Sequence, residues 1–171
     1  MLNICCVKSV DGAVGAAPSG RDYIFTSMPY GGVPEHEVGH YFSLEHTFLG
    51  HASSNPELVN GSNCTTRGDL ICDTPADPLF DREDIEITQN TILGHPGLGV
   101  TCSYVGTHLE SGTNQPYNPP IHNYMAYHNN DCRSEFTPGQ YAWIRYSAIH
   151  EHSNLECNCG TNDYNQWDLT I

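Results

Sequence analysis

Hydrophobic positions along the chain specify few regular elements. Leu2 to Lys8, with Leu2, Ile4, Cys5, Cys6 and Val7 nearly consecutive, predicts a strand. Tyr23 to Thr26, aromatic and β-branched, predicts a second. Between them Val10 to Gly20 is rich in Gly, Ala and Ser and reads as a loop. Gly31, Gly32 and Pro34 punctuate the chain ahead of a helix expected to begin near Pro34 or Glu35. Glu35 and Glu37 fall in its first turn, where the helix dipole favours acids. From about Gly50 to Pro120 no segment holds a long 3.6-residue period, and Gly, Pro, Asn, Asp and Thr dominate. This region is expected to be irregular and to need anchors other than strand pairing, with disulfides and bound ions as the physical candidates. A last helix is announced by Thr137-Pro138-Gly139-Gln140: a capping Thr, Pro at the first helical position, and Gln three after the cap. Tyr141, Ile144 and Ala148 then repeat along one face, and a polar tail from His150 carries Cys157-Asn158-Cys159. With no internal repeat, the expectation is one domain over residues 1–171.

The first helix carries the chemistry. His36-Glu37-Val38-Gly39-His40 puts two imidazoles four residues apart, hence on one helical face and able to meet one metal. Glu37 stands beside the first, placed as a general base for metal-assisted hydrolysis. His46 supplies a third nitrogen if the helix ends soon after His40. Three protein ligands and an open fourth position describe a catalytic zinc. A shuffled chain of this composition would show His-Glu-x-x-His roughly once in 30 trials, and the third His at this offset roughly once in 500.

Composition narrows the partners. A formal charge of −14 and six basic residues argue against nucleic acid and against anionic membranes. No stretch approaches a transmembrane length. Eight cysteines are many for an intracellular chain, and Cys64, Cys72, Cys102 and Cys132 are too widely separated for a zinc ribbon; they read as disulfides made in an oxidising compartment, so the protein is expected to be secreted. Met1 to Val7 has no basic lead and too short an apolar run for a signal peptide, so the chain reads as one that begins inside a domain. Oligomeric state is not legible.

Four motifs in order extend the zinc helix into a family likeness. They are His36-Glu37-Val38-Gly39-His40 ending in His46-Thr47-Phe48, Cys72-Asp73-Thr74-Pro75, Asn123-Tyr124-Met125, and Phe136-Thr137-Pro138-Gly139-Gln140. Together they resemble the pappalysin family of metzincin metallopeptidases, over about Leu2 to Ile149. The resemblance implies an α+β zincin: a twisted sheet and the active-site helix above a cleft, with an irregular lower half holding a Met-turn and a C-terminal helix. It implies that Met125 is the Met-turn methionine beneath the metal and that Tyr127 hydrogen-bonds the developing oxyanion. It pairs Cys64 with Cys102 and Cys72 with Cys132, and leaves Cys5, Cys6, Cys157 and Cys159 unassigned. It also implies structural calcium around Asp69, Asp73, Thr74 and Asp77, residues that turn chemistry alone would equally suit.

Two positions depart from the family pattern. Ser43 stands where metzincins place the glycine that turns the chain toward the third histidine. Asn130 stands where basic-specific relatives carry an acid, which removes the reason to prefer Arg or Lys after the scissile bond. The expected function is a secreted zinc endopeptidase acting on proteins or peptides. The rivals are a catalytically impaired binding module of the same fold and a metal-free disulfide scaffold.

Overall fold

The structure is a computed structural model that describes residues 2–7, 13–27, 33–80, 84–92 and 95–153. Lys8, Gly31, Gly32, part of the expected loop at 10–20, and Cys157 and Cys159 in the tail lie outside the described residues.

Both predicted strands form: β1 is Asn3–Val7 and β3 is Tyr23–Ser27. They pair in parallel, Asn3 opposite Tyr23 through Val7 opposite Ser27. A short strand β2, Gly15–Ala16, adds antiparallel to the other side of β3, giving the order β1-β3-β2. It lies inside the expected loop, where its small residues carry no strand signal. Helix α1, Val33–Tyr41, packs on β2 and β3. The approach is close, since a Cβ on Gly15 would come within 2.3 Å of the Glu37 carboxylate. Ile24 and Thr26, both fully buried, fill the centre of β3.

The stretch expected to be irregular contains a hairpin. Strands β4, Ile85–Ile92, and β5, His95–Tyr104, pair antiparallel from Ile85 opposite Tyr104 to Ile92 opposite His95, with a register shift at Asn90/Thr91. Ile85 and Ile87 do alternate, but Pro96, Gly97 and Gly99 speak against a strand, and cross-strand pairing overrides them. The hairpin brings Ile85 and Cys102 into a small core with Phe80, Ile121 and Cys132.

The disulfide pairing expected from the family likeness is corrected here. The bonds are Cys64–Cys72 and Cys102–Cys132, not Cys64–Cys102 and Cys72–Cys132. Turns at Gly61–Cys64 and Asn63–Arg67 fold the chain back, so the Cα atoms of Cys64 and Cys72 lie 5.0 Å apart. The unforeseen hairpin carries Cys102 to 5.8 Å from Cys132. Cys5 and Cys6 are free thiols.

Helix α2, Pro138–His150, starts as its capping sequence requires. The Thr137 hydroxyl accepts the Gln140 N–H at 3.2 Å and Gln140 Oε1 accepts the Thr137 N–H at 2.9 Å. Its buried face is not the one expected. Gln140 and Ser147 are buried, while Tyr141 is exposed and Ile144 and Ala148 are half-buried. Gln140 and Asn123 exchange paired amide hydrogen bonds at 2.7 and 3.1 Å, and Asn123 Oδ1 also accepts the Met125 N–H at 2.8 Å. That network fixes Met125, which is 0% exposed and meets α1 at Gly39.

Gly39 has no room for a side chain, since an added Cβ would lie 2.3 Å from Met125 Sδ and 3.2 Å from Phe136. Alanine favours helix by about 1 kcal/mol over glycine, yet overpacking costs about 1–3 kcal/mol. Gly39→Ala is therefore expected to lower the melting temperature by several degrees; a rise, as propensity alone would give, contradicts the packing described.

Candidate active site

Helix α1 presents His36 and His40 on one face, and the turn after it adds His46. Their Nε2 atoms form a triangle with sides of 3.1 Å (His36–His40), 3.0 Å (His40–His46) and 3.3 Å (His36–His46). His36 Nδ1 lies 2.6 Å from the Tyr124 carbonyl and His40 Nδ1 lies 2.8 Å from that of Leu44. A carbonyl only accepts, so both Nδ1 atoms carry the proton and both Nε2 atoms are bare lone pairs. Burial and the neighbouring imidazoles push His36 down to about 3 and His46 down to about 4, and burial lowers His40. All three rings are therefore neutral at physiological pH.

The donor set fits one zinc ion. Tetrahedral zinc with Zn–N of about 2.0–2.1 Å separates its ligand nitrogens by about 3.3–3.4 Å. The carbonyl bonds at Nδ1 fix the tautomer and orientation of the His36 and His40 rings, as a metal-binding imidazole requires. Among the described residues, these histidines are the group whose ligand atoms come close enough to hold one ion.

His46 arrives through a six-residue helix stop. The Ser43 N–H donates to the His40 carbonyl at 2.9 Å and the Leu44 N–H to that of Gly39 at 3.0 Å, with Ser43 at φ 64°. Serine takes the left-handed conformation at a cost of about 1 kcal/mol. The missing glycine therefore does not prevent the turn.

Glu37, itself buried, lines a cavity of about 370 Å³ together with Val14, Tyr127, Asn130 and Arg133. Burial raises its carboxyl to about 7, with Arg133 pulling the other way. Tyr127 is half exposed, its ring centroid 4.5 Å from that of His46 and 5.6 Å from that of His36. Arg133 was not foreseen. It donates to the carbonyls of Tyr124 at 3.3 Å and Ala126 at 3.2 Å and to the Asn130 side chain, so it holds the chain on both sides of Met125. Its place next to Cys132 was the only sequence signal.

The residues expected around calcium make hydrogen bonds within the fold. Asp69 accepts from the Thr74 hydroxyl at 2.7 Å and the Ile71 N–H at 3.0 Å. Asp73 caps α2 through the Thr137 hydroxyl and the Gly139 N–H, both at 2.7 Å. Asp77 accepts from the Thr47 hydroxyl at 2.6 Å and faces His128 Nε2 at 3.2 Å. Beside them Glu57 is 6% exposed, and burial together with Asp69 and Asp77 pushes it up to about 8.

No family model matches the chain. An extracellular metalloprotease of Pyricularia oryzae is 36% identical over 130 residues, covering 76% of this chain and 33% of that protein. An extracellular metalloprotease of Colletotrichum graminicola is 32% identical over 161 residues, covering 81% of this chain and 46% of that protein. The chain spans between a third and half of the length of these curated relatives. Among solved structures, mature mirolysin of Tannerella forsythia in complex with a cleaved peptide superposes with a TM-score of 0.52 at 20% identity, covering 84% of this chain and 50% of that chain. That likeness shows the fold, an α+β arrangement shared with mirolysin.

Glu57 gives the acidic region a pH signature. Between about pH 4.5 and 8 the folded protein keeps a proton on Glu57 that the unfolded chain has released, so this group makes stability fall as pH rises through that window. Glu57→Gln, which mimics the protonated form, is expected to melt with wild type near pH 4 and above it at pH 9. A variant no more stable than wild type at pH 9 contradicts the burial of an uncompensated carboxyl.

Proposed function

We propose that the chain is the catalytic part of a secreted zinc endopeptidase of the pappalysin type, acting on peptides or proteins. The carrying observation is the triangle of Nε2 atoms, with Glu37 next to His36 in the lining of one cavity. The relatives named extracellular metalloproteases and the two disulfides support the secreted setting. Among the described residues no helix is long and apolar enough to cross a membrane.

Zinc held by His36, His40 and His46 would supply Lewis acidity, polarising a carbonyl and easing deprotonation of water. Glu37 then takes the proton of the attacking water on its carboxylate and passes it to the leaving amine nitrogen. Burial raises this carboxyl above its ordinary value, the direction that favours accepting the proton. The Tyr127 hydroxyl donates to the oxygen that gathers negative charge. Met125, buried under Gly39, serves as the Met-turn floor. Glu37→Gln is expected to lower kcat/KM by at least about 10²-fold while the protein retains about one equivalent of zinc. Equal cleavage by the variant and wild type would sink the mechanism.

The leaving amine must lie near Glu37, so the side chain after the scissile bond enters the cavity lined by Asn130 and Arg133. Glu37 is the only carboxylate among the described residues of that lining. Profiling on a peptide library is expected to show no preference for Arg or Lys at this position. A strong basic preference contradicts this assignment of the pocket.

A further inference from the structure

The turn that delivers His46 is one that glycine makes easily and that this chain makes with serine. Ser43 sits at φ 64°, the left-handed region that L side chains resist. Two side chains from the far end of the sequence grip it. The Trp143 indole N–H donates to the Ser43 carbonyl at 3.1 Å, across 100 positions. The Ser43 hydroxyl donates to the Glu151 carboxylate at 2.9 Å, across 108. Glu151 is itself fixed: its carboxylate accepts the Ser147 hydroxyl at 2.6 Å, and its N–H donates to the Ser147 carbonyl at 2.8 Å. Trp143 lies in α2 and Glu151 caps its C-terminus, and the first turn of α2 is anchored by Asp73 and by the Asn123–Gln140 amide pair. One residue further on, the Leu44 carbonyl orients the His40 ring at 2.8 Å.

We propose that Trp143 and Glu151 are positioning residues for the metal centre. They clamp Ser43 in its left-handed conformation and thereby hold His46, and through Leu44 also His40, in ligating position. The proposal rests on the zinc reading above. It makes α2 a strap between the segment bearing Met125 and the third ligand, and it accounts for how the chain dispenses with glycine at this turn.

A double-mutant comparison on the full chain tests this. Trp143→Phe with Glu151→Ala removes the clamp, and Ser43→Gly removes the need for it. Zinc affinity is read by competition with a chromophoric chelator, and coordination by the ligand-field bands of the Co²⁺-substituted protein. In the Ser43 background the clamp pair is expected to weaken zinc binding by about tenfold or more and to shift the Co²⁺ bands. In the Ser43→Gly background the same pair is expected to cost less than about threefold, with the bands restored. Equal loss in both backgrounds, or no loss in either, overturns the clamp. If the clamp variant does not fold, recovery of a folded, zinc-binding protein on adding Ser43→Gly supports it, and failure to recover overturns it. A wild-type protein that binds no zinc refutes the zinc reading itself, an outcome distinct from wild-type binding that the clamp does not affect.

Discussion

Two unprotonated imidazole nitrogens, from His36 and His40, face each other at 3.1 Å, and a third from His46 closes the triangle. With both Nδ1 protons committed to carbonyl oxygens, the lone pairs of the first two cannot hydrogen-bond one another. Burial keeps the rings neutral, so no proton relieves the contact at physiological pH. A shared cation would turn this repulsion into coordination. The rest of the fold serves to impose that convergence: α1 sets the spacing of the first two rings, and the turn at Ser43 sets the third.

The support runs in a closed circuit. Asp73 caps α2, Gln140 of α2 pairs with Asn123, and Asn123 holds the backbone of Met125. Met125 seats Gly39 of α1, and the carbonyl of Tyr124 next to it orients His36. Trp143 in the middle of α2 and Glu151 just past its last residue return to Ser43. Most links join residues far apart in sequence, so the histidine triangle and the segment around Met125 are tied together largely through hydrogen bonds. The disulfide Cys102–Cys132 joins the hairpin β4–β5 to this circuit a few residues past Met125.

Local chemistry made much of this readable. The i, i+4 histidines, the capping box at Thr137 and the two longer strands of the small sheet follow from spacing and residue type, and the structure forms each of them. What stayed hidden depends on partners distant in sequence. The hairpin carries Pro96 and two glycines, so its strands exist only because they pair. The cysteine pairing followed that hairpin and could not be reached by analogy. The inner face of α2 is set by Gln140 and Ser147, whose burial depends on Asn123 and Glu151 and not on hydrophobic period. Arg133 and the acids around Glu57 show the same limit: their roles come from what folds onto them.

X-ray absorption at the zinc edge on the purified full chain tests the convergence of the three histidines most directly. The account predicts a first shell of three imidazole nitrogens at about 2.0–2.1 Å with one further oxygen, reduced by one nitrogen in His46→Ala. A shell containing sulfur, or one of only two imidazoles that His46→Ala leaves unchanged, would contradict it.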